Sequence, residues 1–131
     1  MNQNRKLLKL SEREEDVMAV FWKTDKAMTA VQVAEESEHL KLNTVKPVVQ
    51  KLLQKNFIEV AGIVHSGPSI ARTYNYVVSA EEYAADQLQA MRSNSFSFSA
   101  LNFVNHLIEQ EECDDILREL EEILKHKKGE Q

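Results

Sequence analysis

The sequence predicts a mainly α-helical chain broken by one small β-hairpin. Apolar residues recur at helical spacing through most of the chain, whereas the stretch from Phe57 to Val78 switches to β-branched and alternating patterning. A Ser or Thr followed three residues later by Glu or Gln stands ahead of three helical segments, at Ser11/Glu14, Thr29/Gln32 and Ser79/Glu82. In that capping box the hydroxyl accepts from a freed helical N–H while the acid or amide reaches back. Only three Gly and two Pro among 131 residues leave little room for long irregular loops.

The elements follow in order. Behind Ser11, the residues Val17, Met18, Phe21 and Trp22 form one helical stripe, and Thr24-Asp25-Lys26 reads as a turn. Thr29 opens a short second helix with Val33 and Ala34 inward, ending near Glu38. Asn43 and Thr44 are both good caps for a third helix, whose apolar positions are Val45, Val48, Val49, Leu52 and Leu53. Asn56 fits its stop, because Asn tolerates the left-handed conformation. Phe57 to Val64 reads as a strand, His65 to Ser69 as a turn, and Arg72 to Val78 as a second strand. Three helices and a hairpin in this order make a winged helix-turn-helix, assigned to residues 1–78. Residues 79–131 are helical again: a helix from Ser79 to about Met91, a Ser-rich break at 93–99, and helices at about 100–110 and 113–126. The last carries Ile116, Leu117, Leu120, Ile123 and Leu124 on one stripe.

Charge divides along the same line. The chain holds 16 Lys+Arg against 21 Asp+Glu, a net of -5, which taken whole disfavours nucleic acid. Residues 1–78 hold 11 basic and 9 acidic residues, and residues 79–131 hold 5 and 12. The negative total therefore belongs to the second part. Residues 39–58 carry Lys41, Lys46, Lys51 and Lys55 and no acid. They fall on the third helix, the element that enters the major groove in a helix-turn-helix. At 100° per residue, its face opposite the apolar stripe holds Asn43, Pro47, Gln50 and Gln54, flanked by Lys46 and Lys51. Amides pair with adenine, and lysines reach guanine or phosphate. Thr29 and Arg72 are placed to hold phosphates. The candidate DNA-binding set is thus Thr29, Lys41, Asn43, Thr44, Lys46, Gln50, Lys51 and Arg72, with Lys55 adding to affinity.

The order of these pieces resembles the BlaI/MecI/CopY (penicillinase-repressor) family of bacterial winged-helix regulators. The residues that carry the resemblance are Leu10-Ser11 through Glu14-Glu15, Val17-Met18, Phe21-Trp22, Thr44-Val45, Leu52 to Ile58, Arg72 to Tyr76, and Leu101 to Val104, followed by an acidic Leu/Ile-rich last helix. The resemblance implies a homodimeric transcriptional repressor. Its N-terminal domains would bind a palindromic operator and its C-terminal helices would interlock. Phe96, Phe98, Leu101, Phe103, Leu117, Leu120, Ile123 and Leu124 are the candidate dimerisation residues. A 53-residue tail is also too small to bury much core alone, which favours a partner chain.

The sequence departs from the family at three points. Pro47 stands where members usually have Thr, and a helix interior disfavours proline, so the third helix is expected to start late, near Thr44. The stretch between Phe57 and Arg72 is longer than in small-winged members, which makes His65 a further candidate contact, although a lone turn His is more often plain surface. No C-terminal Cys cluster exists to hold Cu(I); Cys113 alone reads as a small packed residue. In the β-lactam-responsive branch a membrane sensor protease cuts an Asn-Phe bond in this region, which makes Asn102-Phe103 a candidate cleavage site. The residues themselves favour packing, with Leu101, Phe103, Val104, Leu107 and Ile108 on an apolar face.

Other functions find less footing. No phosphate-cradling Gly loop and no nucleophile–base pair occur, and His106 and His126 lack metal-ligand spacing, so neither an enzyme nor a cofactor is expected. Glu111, Glu112, Asp114 and Asp115 suit a helix N-terminus. No apolar run approaches the ~18 residues of a membrane span, and the expected location is the cytoplasm. Two alternatives stay open: a ligand-sensing regulator of the MarR type, and a winged-helix protein-interaction module that binds no DNA.

Overall fold

The computed structural model describes residues 7–93, 99–110 and 114–129. Phe96, Phe98, Glu111, Glu112 and Cys113 lie outside the described residues. The elements run α1 (Glu12–Thr24), α2 (Ala30–Glu36), α3 (Leu42–Gln54), β1 (Ile58–Ser66), β2 (Ser69–Tyr76), α4 (Ala80–Ser93), α5 (Ala100–Gln110) and α6 (Asp114–Gly129). Three helices followed by an antiparallel hairpin make the winged helix-turn-helix. The chain divides into two compact units, Met1–Ala90 and Met91–Gln131.

Local chemistry starts the helices. At α1, Ser11 Oγ accepts from the Glu14 N–H and Glu14 Oε1 accepts from the Ser11 N–H. Thr29 and Gln32 repeat the exchange at α2, and Ser79 and Glu82 at α4. The stops are local too. Asp25 and Asn56 take positive φ (54° and 64°) after α1 and α3, a conformation that Asp and Asn tolerate better than other side chains.

The start of α3 differs from the sequence expectation. Neither Asn43 nor Thr44 is its cap. Lys41 holds that position without a side-chain bond, its carbonyl accepting from the Thr44 and Val45 N–H groups, each at 2.9 Å. The start is set by tertiary anchoring. Leu40 is buried in the core, and the Ser37 hydroxyl accepts its N–H at 2.9 Å, closing the turn out of α2. Pro47 consequently lies two residues deeper than a start at Thr44 would put it, inside the helix. The hairpin differs as well. His65, Ser66 and Ser69 belong to strands, and the turn narrows to Gly67-Pro68. Gly67 supplies the positive φ (63°) that a two-residue hairpin loop needs. Ala61 bulges out between Val60 and Gly62.

The core of the first unit gathers Val17, Met18, Phe21, Met28, Val33, Val45, Val49, Leu52 and Phe57, all essentially buried. Met28 and Tyr74 exchange backbone hydrogen bonds of 2.9 and 2.8 Å, so the chain ahead of α2 is tied to the wing. Tyr83 of α4 packs edge-on against Phe57, and its hydroxyl accepts from the Leu10 N–H at 2.9 Å. Trp22 Nε1 donates to the Val78 carbonyl at 2.9 Å. The start of α4 therefore belongs to the core of the winged unit.

In the second unit, α5 and α6 are both amphipathic. Leu101, Leu107, Leu117, Ile123 and Leu124 remain exposed in the single chain, Leu101 at 71% and Leu124 at 60%. Phe103 is also partly exposed, Val104, Ile108 and Leu120 are half-buried, and Asn102 is exposed. Among the described residues, no helix is long and apolar enough to cross a membrane.

Candidate nucleic-acid interface

The apolar stripe of α3 fixes what its other side presents. Val45, Val48, Val49 and Leu52 are buried. Asn43, Pro47, Gln50 and Gln54 therefore point outward, and all four are exposed, as are Lys46 and Lys51. No acidic residue occurs on α3. The helix thus offers solvent three amide side chains, Asn43, Gln50 and Gln54, alongside Lys46 and Lys51.

Beside this face, α2, α3 and β2 enclose an open cleft of about 510 Å³. Thr29, Lys46, Gln50 and Arg72 line it together. The sequence nominated these four separately, and the fold brings them to one place. Arg72 alternates with Ile70 and Tyr74 along β2, and these three line the cleft together with Ala71. No acid lines the cleft. A polyanion entering it would meet the Lys46 and Arg72 cations from two sides.

The other nominated residues stand apart. Lys41, exposed, is the N-cap of α3, and Asn43 and half-buried Thr44 lie in its first turn. Lys51 is exposed further along the same helix. Thr29 is buried, and its hydroxyl and N–H are both engaged with Gln32: the hydroxyl accepts the Gln32 N–H at 3.1 Å and the N–H donates to Gln32 Oε1 at 2.9 Å. It orients the start of α2 at the cleft wall. His65 is exposed on β1, opposite Ile70.

Lys55 requires a correction. Its ammonium is 2.6 Å from Glu14 Oε1 and donates to the Lys9 carbonyl at 3.3 Å, so it is held against the body of the domain. Burial pushes the Glu14 carboxyl up in pKa. The hydrogen bonds from Lys55 and the Ser11 N–H, with the Lys55 charge, outweigh that and leave it below the ordinary glutamate range. Lys55 is a stabilising partner, and the sequence could not show this because Glu14 lies 41 residues away.

Sequence reasoning missed the apolar lining of the cleft. Val31 and Ile70, exposed at 46% and 64%, stand with Pro47 among the cations and amides. The period-two alternation of Ile70 with Arg72 was the available signal for one of them.

A PadR family transcription regulator from Clostridium difficile is 18% identical, the match covering 72% of this chain and 94% of that one, with a TM-score of 0.40. A mutant ZitR from Lactococcus lactis is 11% identical over 97% of this chain and 81% of that one, with a TM-score of 0.43. The adhesin competence repressor AdcR from Streptococcus pyogenes is 11% identical over 95% and 84%, with a TM-score of 0.41. No curated protein matches the chain. The model of the penicillinase repressor family matches residues 10–126, nearly the whole chain, and the protein belongs to that family.

Proposed function

We propose that the protein is a transcriptional repressor that binds a palindromic operator as a homodimer. Membership of the penicillinase repressor family supports the repressor reading. The observation that carries the DNA contact is the acid-free cleft in which Lys46 and Gln50 of α3 face Arg72 of the wing. In this reading α3 enters the major groove. Lys41, Lys46, Lys51 and Arg72 neutralise phosphates, and Asn43, Thr44, Lys46 and Gln50 read base edges. The reader is assigned to residues 1–78, with the start of α4 completing its core through Tyr83, and the dimerisation surface to the helices that follow within 79–131. The exposed apolar faces of α5 and α6, with Leu101, Phe103, Leu117, Leu120, Ile123 and Leu124, would be covered by a second copy. Two linked readers raise affinity through effective concentration, so a signal that loosens the dimer releases the DNA. Cleavage at Asn102-Phe103 by a membrane sensor protease is one such signal, and exposed Asn102 leaves it open.

Selection of the full-length protein on a randomised duplex pool tests this. The expected result is an enriched palindrome with half-sites about one helical turn (~34–36 Å) apart. Enrichment of unpaired single sites would refute the dimeric reading, and no retention of any duplex would refute DNA binding.

A further inference from the structure

Pro47 breaks a local rule at a conspicuous place. It sits inside α3, past the first turn, where proline lacks the N–H that would bond the Asn43 carbonyl and its ring crowds that carbonyl. Proline is the least favourable residue for a helix interior. It fills no core, because its side chain is exposed. It stands on the outward face of the helix beside Gln50, within the wall of the cleft that also holds Val31, Lys46, Ile70 and Arg72. A local rule broken on an exposed face, with no packing gain, points to a site where the residue meets something outside the chain.

The chemistry of proline narrows what that is. Its side chain has no donor, acceptor or charge, so it can hold neither a phosphate nor a polar base edge. What it offers a major groove is an apolar surface. Among the groups the four base pairs display there, one is apolar, the thymine 5-methyl. The neighbouring Gln50 amide matches the donor and acceptor of adenine on the same kind of base pair. Flanking Lys46 and Arg72 supply the charge complementarity that brings a duplex to this face.

We infer that Pro47 is a specificity-determining residue that contacts the 5-methyl group of a thymine, so that α3 selects an A·T-containing half-site through Pro47 and Gln50. This rests on the DNA-binding reading above. The test replaces single thymines of the enriched duplex by deoxyuracil, which removes only the methyl, and measures binding of the full-length protein. One replacement in a single half-site is expected to weaken binding about fourfold, the worth of one desolvated methyl-sized group, and one in each half-site about sixteenfold. Pro47→Gly, which has no side chain and relieves the helix, is expected to bind thymine and uracil duplexes equally. Pro47→Val, which restores an apolar surface, is expected to regain a thymine preference. If the protein retains duplex DNA but no thymine-to-uracil change matters, or if Pro47→Gly keeps the full sensitivity, this inference falls and DNA binding stands. If no duplex is retained, both fall.

Discussion

Replacing Lys55 by Met separates stability from binding on one residue. The Lys55 ammonium lies 2.6 Å from Glu14 Oε1, and the Glu14 side chain is 4% exposed against 25% for Lys55. Without the ammonium, the carboxylate keeps the Ser11 N–H at 2.8 Å and lies in a site that disfavours its charge. Breaking a fully buried pair costs about 3–5 kcal/mol, and a surface pair contributes about 0–1 kcal/mol. This half-sheltered pair falls between, at about 2 kcal/mol. For a domain of this size that lowers Tm by about 8–16 °C. The assay is thermal unfolding at fixed protein concentration, because dimerisation would make Tm concentration-dependent. The sign with pH follows from the lowered Glu14 pKa. Its contribution is present above the ordinary glutamate range and is lost as pH falls through the lowered folded value. The defect of Lys55→Met is therefore largest near neutrality and shrinks on acidification, where the protonated carboxyl no longer needs a cation. The same variant leaves the salt dependence of DNA binding unchanged. A Tm shift below about 2 °C together with a shallower salt dependence would refute the reasoning and return Lys55 to the DNA face.

Three further outcomes are expected. Lys46→Ala weakens binding to the selected duplex by about 1–3 kcal/mol if the Lys reads a base, in titrations at fixed salt; unchanged affinity would remove it from the interface. Tyr83→Phe leaves the buried Leu10 N–H without its acceptor and destabilises the fold by about 1–3 kcal/mol in denaturant unfolding, whereas no change would mean that Tyr83 does not fasten α4. Ile123→Glu places a charge on the exposed apolar face of α6 and converts a dimer to a monomer in sedimentation; a persistent dimer would place the interface elsewhere.

The features set by neighbours in sequence were legible. The capping boxes at Ser11, Thr29 and Ser79 and the stop at Asn56 each involve residues within one turn, so residue types alone place them. The features set by distant contacts were not. α3 starts at Leu42 because Leu40 docks in the core and Ser37 closes the preceding turn, which overrides the capping preference of Asn43 and Thr44. The Met28–Tyr74 bridge joins segments 46 residues apart through backbone atoms, which no side-chain pattern announces. For the candidate site, the polar face of α3 was legible from helical periodicity. Its closure into a cleft was not, since that depends on the β1–β2 register bringing Arg72 and Ile70 back over Lys46 and Gln50.

The central claim is that the cationic face of α3 and the wing binds the phosphates of a duplex despite a net charge of -5. The most direct measurement is the affinity of the full-length protein for the selected duplex across a series of salt concentrations. Each protomer presents Lys41, Lys46, Lys51 and Arg72 as phosphate contacts in this reading. Two protomers then neutralise up to eight phosphates, and log K against log salt has a slope of about -7. A flat response, or no binding at about 50 mM salt, would contradict the account.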